Sequence, residues 1–250
     1  HDPMQAKEID LAKYASIRER NRRAYCAMVD SMDQAIGKIL NALSEKGIDE
    51  NTVVLFFSDN GGITRWADNG PWRAGKGTVY EGGIRTPAIA RWPSGFSGGR
   101  VVDAQVGYID VYPTLMHVSG STAPNPLPLD GQNILGVIDG TSPSPKRDWF
   151  SYIAQANLES SAICDGTWKL VVTQGNVLEV RQDKRAPKVE LFHLSDDPSE
   201  TNNLVQSQPT RAKEMLTRLQ DHRRLKIEGI PNYLEGKSGF VAPEDWIIRE

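Results

Sequence analysis

The stretch Thr52-Val53-Val54-Leu55-Phe56-Phe57-Ser58-Asp59-Asn60-Gly61-Gly62 joins a run of β-branched and aromatic residues to an abrupt polar, glycine-bearing end. A strand that is apolar at every position predicts a central strand of a sheet covered on both faces. Upstream, residues 8–45 read as helix with a break near Asn21. Tyr25, Met28, Val29, Met32, Ile36, Ile39, Leu40 and Leu43 step by three and four along one face. Gly47 after Lys46 is a usual helix stop. Helix, short loop, apolar strand and polar loop form the α/β pattern. In such sheets, ligands bind at the carboxyl ends of strands, which is where Asp59 and Asn60 fall.

Downstream, residues 61–83 are rich in glycine and poor in aliphatic residues, and they predict a long functional loop. A second apolar strand follows near Pro87 to Trp92. Asp110 to Val118 reads as helix with Pro113 in its first turn. Pro124-Asn125-Pro126-Leu127-Pro128 reads as a rigid surface loop. Beyond Arg147 come short strands at Trp149–Ile153, Ser161–Cys164, Trp168–Thr173 and Val189–Leu194. Asp165-Gly166 is a hairpin signal between two of them. Gln208 to Leu225 reads as one amphipathic helix. The expected architecture is therefore an α/β domain, residues 1–146, followed by a small α+β subdomain, residues 147–250. The second body should be an antiparallel sheet with a helix packed on it. The break falls near Thr141–Arg147, where Ser142-Pro143-Ser144-Pro145 interrupts the pattern.

Composition excludes several classes of function. The 250 residues carry 29 Lys and Arg against 32 Asp and Glu, a net charge of −3. That balance excludes the basic excess of a typical duplex-binding domain, so no nucleic-acid partner is expected. The longest apolar run, Val53 to Phe57, is far too short to span a bilayer. Two cysteines, Cys26 and Cys164, make neither a disulfide framework nor a C-x-x-C metal pattern, and both read as buried hydrophobes. The chain opens His1-Asp2-Pro3-Met4, without an initiator methionine.

Few residues carry chemistry. Asp59 and Asn60 offer adjacent hard oxygens to a cation such as Ca²⁺ or Mg²⁺, although Asp-Asn-Gly-Gly is also an ordinary turn. Lys76, in Gly75-Lys76-Gly77-Thr78, places an ammonium on adaptable backbone. It suits a tetrahedral oxyanion such as sulfate or phosphate, or it is a solvated loop lysine. The pattern is not a P-loop. Glu81 and Arg85 read as structural partners. His117 and His193 read as packing residues, and His222 as part of a solvated face among Arg223, Arg224 and Lys226.

Taken together, His1-Asp2-Pro3, Thr52–Gly62, Gly75-Lys-Gly-Thr-Val-Tyr-Glu-Gly-Gly-Ile-Arg-Thr-Pro87, Asp165-Gly-Thr-Trp-Lys-Leu170 and Glu190–Leu204 resemble the sulfatases of the alkaline-phosphatase superfamily. The similarity is to the arylsulfatase and N-acetylgalactosamine sulfatase type. It implies an alkaline-phosphatase-like mixed sheet flanked by helices. It implies that Asp59 and Asn60 ligate Ca²⁺ (Mg²⁺ as an alternative), and that Lys76 and His1 contact the sulfate. The substrate is then an aryl or sugar sulfate, for which Trp72 and Arg73 are candidate contacts because an aromatic face and a guanidinium suit it. The family suggests a periplasmic, secreted or lysosomal location.

One departure is large. The family's formylglycine arises from Cys or Ser in a C/S-x-P-x-R motif, and neither cysteine, Cys26 or Cys164, begins one, nor does Ser142 or Ser144. The resemblance places that motif, and the remaining metal ligands, upstream of the position matched by His1. The expected identity is thus the C-terminal half of a sulfuric ester hydrolase, inactive by itself and prone to self-association through its uncovered apolar strand. The alternatives are a non-catalytic sulfatase-like binding module and, further off, a phosphatase or phosphodiesterase of the same superfamily.

Overall fold

The computed structural model describes residues 3–122, 128–155, 158–179 and 187–225. The chain begins with α1 (Glu8–Lys13) and α2 (Arg20–Glu45). The break between them precedes Asn21, which lies inside α2. Its cause is Glu19, whose carboxylate accepts the free N–H groups of Asn21 and Arg22 and so starts the second helix. Gly47, at φ +65°, ends α2 by donating to the Ser44 carbonyl.

Strand β1 (Val54–Phe57) pairs antiparallel with β2 (Ala88–Arg91), with Val54 opposite Arg91 and Phe57 opposite Ala88. The expected covered central strand differs here. Among the described residues β1 pairs with β2 alone, and Phe57 and Ile89 are exposed. The apolar stripe of α2 is likewise open at Val29, Met32 and Ile39, while only Ala24 and Ala27 of that helix are buried. Pattern alone specifies an apolar face but not what covers it.

Helix α3 (Glu81–Ile84) is one turn. Helix α4 (Val111–Ser119) ends at Gly120 in the left-handed region, and α5 (Leu135–Asp139) ends at Gly140 in the same way. The loop expected at Pro124–Pro128 lies outside the described residues apart from Pro128. His117 is exposed at the last turn of α4, not packed as expected. Beneath α4, the fully buried Asp110 accepts hydrogen bonds from the Gly107 and Gln132 amides and both terminal nitrogens of Arg147. Burial alone would raise this carboxyl. The Arg147 guanidinium and the two amides outweigh it and hold Asp110 below its ordinary 3.8.

A depressed carboxyl stabilises the fold above its unfolded value, and that stability is lost as pH falls through the folded value. Asp110→Asn is therefore expected to destabilise the protein at neutral pH. Urea titrations at falling pH should show the gap to wild type close below about 3.8. A gap independent of pH would mean that the Asp110 charge contributes nothing.

The C-terminal body is a four-stranded antiparallel meander: β3 (Trp149–Gln155), β4 (Leu158–Cys164), β5 (Trp168–Thr173) and β6 (Lys188–His193). The β4–β5 hairpin turns at Asp165-Gly166 as the sequence predicts, with Gly166 at φ +94°. Helix α6 (Pro209–Arg224) lays Ala212, Met215 and Leu219 on one face of the sheet, against Ile163, Leu170, Val172 and Leu191. His222 is not merely solvated, because its ring stacks on Phe150 with centroids 3.8 Å apart. His193 packs edge-on against Trp168, as expected of a packing residue. Cys164 is buried, and burial raises its thiol. Cys26 is only half-buried. Side chains alternate along a strand, so residues 169 and 171 face away from α6. That second face, with Ala162, Val171 and Phe192, receives Val79 and Tyr80 from the loop between β1 and β2.

Candidate active site

The connection from β1 to β2 spans residues 58–87, and its base closes where the Ser58 amide donates to the Pro87 carbonyl. Asp59 and Asn60 are therefore the second and third residues beyond the carboxyl end of β1, after Ser58. The segment is knitted by its own backbone. Gly61 N–H donates to Gly83 O at 2.9 Å, Lys76 N–H to Gly62 O at 3.1 Å, and Gly82 N–H to Arg73 O at 2.9 Å. Asn69 is the knot. Its amide oxygen accepts from Gly62 N–H, and its NH₂ donates to the carbonyls of Gly62 and Ala74.

The expected site residues are thus brought together in part. The Lys76 main chain is bonded to the residue two beyond Asn60. Asp59 and Lys76 are exposed and Asn60 is half-buried. Among the described residues none of these three side chains has a hydrogen-bond or ion-pair partner, so they are free for a ligand. His1 lies outside the described residues. Trp72 is half-buried, with the Arg85 guanidinium 4.2 Å from its ring centroid. Arg73 turns elsewhere. It donates to Glu200 O at 2.8 Å, pairs with Glu190 at 3.3 Å and stacks 4.0 Å over Tyr80. Its partners make it a strut of the loop. Glu81 and Arg85 pair as the sequence suggests, at 3.7 Å.

As a metal site the donor set is incomplete. Asp59 and Asn60 are oxygen donors of the kind Ca²⁺ takes, but Ca²⁺ needs about six to eight. Among the described residues no group of three or more His, Cys, Asp or Glu converges on a common point.

The glycines here are dictated by contact. A Cβ on Gly61 would lie 1.8 Å from the Gly82 carbonyl oxygen, and one on Gly82 would lie 2.3 Å from Ala74 O. Backbone meets backbone, so nothing can swing aside. Gly61→Ala is expected to cost about 1–3 kcal/mol, as overpacking does, read as a lower denaturation midpoint. An unchanged midpoint would show that the two chain segments are not held in contact.

Sequence reading missed Lys169, Glu190 and Glu200. Lys169 is fully buried in β5, 2.8 Å from Glu81 and 2.9 Å from Glu200. The available signal was a charge inside an apolar strand: Lys169 in Trp-Lys-Leu-Val-Val and Glu190 in Val-Glu-Leu-Phe.

Comparison with known proteins adds what geometry cannot. The "Sulfatase" family profile matches residues 1–121, and the profile "N-sulphoglucosamine sulphohydrolase, C-terminal" matches residues 72–226. A sulfatase of Formosa agariphila is 36% identical over 225 residues, covering 81% of this chain and 40% of its own length. Human arylsulfatase A is 32% identical over 231 residues, covering 86% of this chain and 45% of its own. The crystal structure of Ps i-CgsB in complex with neocarrahexaose superposes with TM-score 0.78 at 28% identity, over 89% of this chain and 47% of that one. The chain spans less than half the length of each of these three proteins.

Proposed function

Since the chain belongs to the sulfatase family, we propose that it supplies the Lys76 side of the active site of a sulfuric ester hydrolase. One observation carries the reading. The hydrogen bond from Lys76 N–H to Gly62 O holds the Lys76 main chain against the turn that follows Asp59 and Asn60, and its exposed ammonium has no partner among the described residues. A lysine ammonium suits a tetrahedral oxyanion such as a sulfate ester, and two oxygen donors at a strand's carboxyl end suit a cation that such an anion would share.

In this reading the Lys76 ammonium donates to a sulfate oxygen and balances charge as the ester bond breaks. His1 takes a second oxygen. Asp59 and Asn60 would contribute two of the ligands of a Ca²⁺ ion (Mg²⁺ as the alternative), and such an ion would supply stabilisation of negative charge. Trp72 supplies an aromatic wall for an aryl or sugar group, one of its faces being covered by Arg85. A sugar sulfate accords with the k-i-k-neocarrahexaose bound in the Ps i-CgsB complex. Arg73 is left to hold the loop. Residues 1–146 form the catalytic portion and 147–250 its supporting subdomain.

A second reading has its own observation. The match to C/S-x-P-x-R, Ser207-Gln208-Pro209-Thr210-Arg211, runs into α6, across the C-terminal sheet from the Lys76 loop, so among the described residues no such nucleophile stands beside Lys76, as a non-catalytic sulfatase-like module would require. The two are separated by comparing these 250 residues with the complete natural polypeptide. The 250 residues alone are expected to release no sulfate from 4-nitrophenyl sulfate. They are also expected to sediment as oligomers, because Val29, Met32, Ile39, Phe57 and Ile89 are all exposed. The complete polypeptide is expected to turn the ester over. Turnover by the short chain would place the nucleophile within it and overturn this assignment. No turnover by either would favour the binding module.

A further inference from the structure

The second face of the C-terminal sheet meets the Lys76 loop with charge where apolar residues would pack well. Lys169 Nζ lies 2.8 Å from Glu81 Oε1 and 2.9 Å from Glu200 Oε1, and all three residues are buried. The other Glu200 oxygen accepts the Glu81 N–H at 2.7 Å. Beside them, Arg73 donates to the Glu200 carbonyl, and Tyr80 O–H donates to Glu190. Replacing such a buried ionic group by well-packed apolar residues is often neutral or stabilising, so stability alone does not account for it. What it provides is direction: an ammonium fixes two carboxylates at set points, which an apolar contact does not.

Those points lie on the path to the site. Glu81 opens α3, and two residues on, Gly83 O accepts the Gly61 N–H. Gly62 O in turn accepts the Lys76 N–H. The path has no slack. Cβ atoms placed at Gly61, Gly82 or Gly83 would lie 1.8–2.3 Å from backbone oxygens of the facing segment. Glu200 itself is held at φ +54°, a conformation that costs a non-glycine residue on the order of 1–3 kcal/mol and persists only where its surroundings enforce it.

We propose that Lys169, Glu81 and Glu200 are positioning residues that fix the Lys76 loop against the end of β1, so that the C-terminal sheet governs turnover without touching substrate. This rests on the sulfatase reading above.

The test uses the complete natural polypeptide and Glu200→Gln, which keeps the shape of the side chain. Glutamate uses one oxygen for the Glu81 amide and the other for Lys169. A glutamine has only one oxygen, so one of those two links breaks. Two readouts are taken on folded protein: amide hydrogen exchange at Gly61, Lys76 and Gly82, and kcat for 4-nitrophenyl sulfate. Glu200→Gln is expected to speed exchange at those amides and to lower kcat, each by about tenfold, with KM changed less. In a Lys76→Ala background the same substitution is expected to leave kcat nearly unchanged, because its effect passes through Lys76. Arg73→Met, a partly exposed strut, is expected to act in the same direction. Unchanged exchange would overturn the clamp, whatever the kinetics. Faster exchange with an equal loss of kcat in both backgrounds would overturn the route through Lys76. Faster exchange in a protein that releases no sulfate would uphold the clamp while sinking the sulfatase reading.

Discussion

Lys76→Ala in the complete natural polypeptide is expected to lower kcat for an aryl sulfate by on the order of 10²-fold or more, the usual result of removing one preorganised oxyanion donor. The side chain is exposed, and among the described residues it is bonded to nothing, so its removal leaves no buried partner unsatisfied. The loop is held by main-chain bonds at Lys76, Gly82 and Gly61, none of which needs the ammonium. The free energy of unfolding is therefore expected to change by no more than ordinary surface substitutions change it, about 0.5 kcal/mol. Steady-state kinetics on the folded variant check this. Unchanged kcat would reduce Lys76 to a solvated loop lysine.

Lys169→Met is expected to give the largest loss of stability, about 3–5 kcal/mol, because it takes the cation from the buried Glu200 carboxylate and leaves Glu81 with the longer Arg85 pair. Glu81 and Glu200 are both buried, and Lys169 is the cation that faces both. The loss should depend on pH. Burial already raises the Glu200 carboxyl above its ordinary 4.5, with Lys169 opposing the rise. A raised carboxyl contributes stability that is fully present below its unfolded value and is lost as pH rises through the folded value. Without Lys169 that rise is larger. Denaturant titrations should therefore show a greater deficit at neutral pH than below about 4.5. A deficit equal at both would mean that Lys169 does not act through the charge of Glu200.

The sequence made the C-terminal sheet readable because its signals are local. Asp165-Gly166 sets the hairpin, alternation sets each strand, and the three-and-four spacing of Ala212, Met215 and Leu219 sets the face of α6. The position of Asp59 and Asn60 at the end of β1 was readable for the same reason. Pairing was not. The antiparallel partnership of β1 with β2 joins residues separated by the whole 58–87 loop, and an apolar run carries no record of its neighbour. The open stripe of α2 shows the same limit, since periodicity at Val29, Met32 and Ile39 defines a face without defining its cover.

In the site, Lys76 stood out because flanking glycines expose it. Arg73 was misread because a guanidinium beside a tryptophan suits an anionic ligand equally well. Its real partners, Glu190 and Glu200, lie more than a hundred residues away. Lys169 is the instructive omission. It occupies a strand position whose neighbours Val171 and Phe192 are core, and only the fold shows that Glu81 arrives from the distant loop to meet it.

The most direct test of the central claim is the release of inorganic sulfate from 4-nitrophenyl sulfate by the complete natural polypeptide, run beside the matching phosphate ester and repeated with Lys76→Ala. The account predicts turnover of the sulfate in preference to the phosphate, and its collapse in the variant. Preference for the phosphate, or sulfate release untouched by the loss of Lys76, would contradict it.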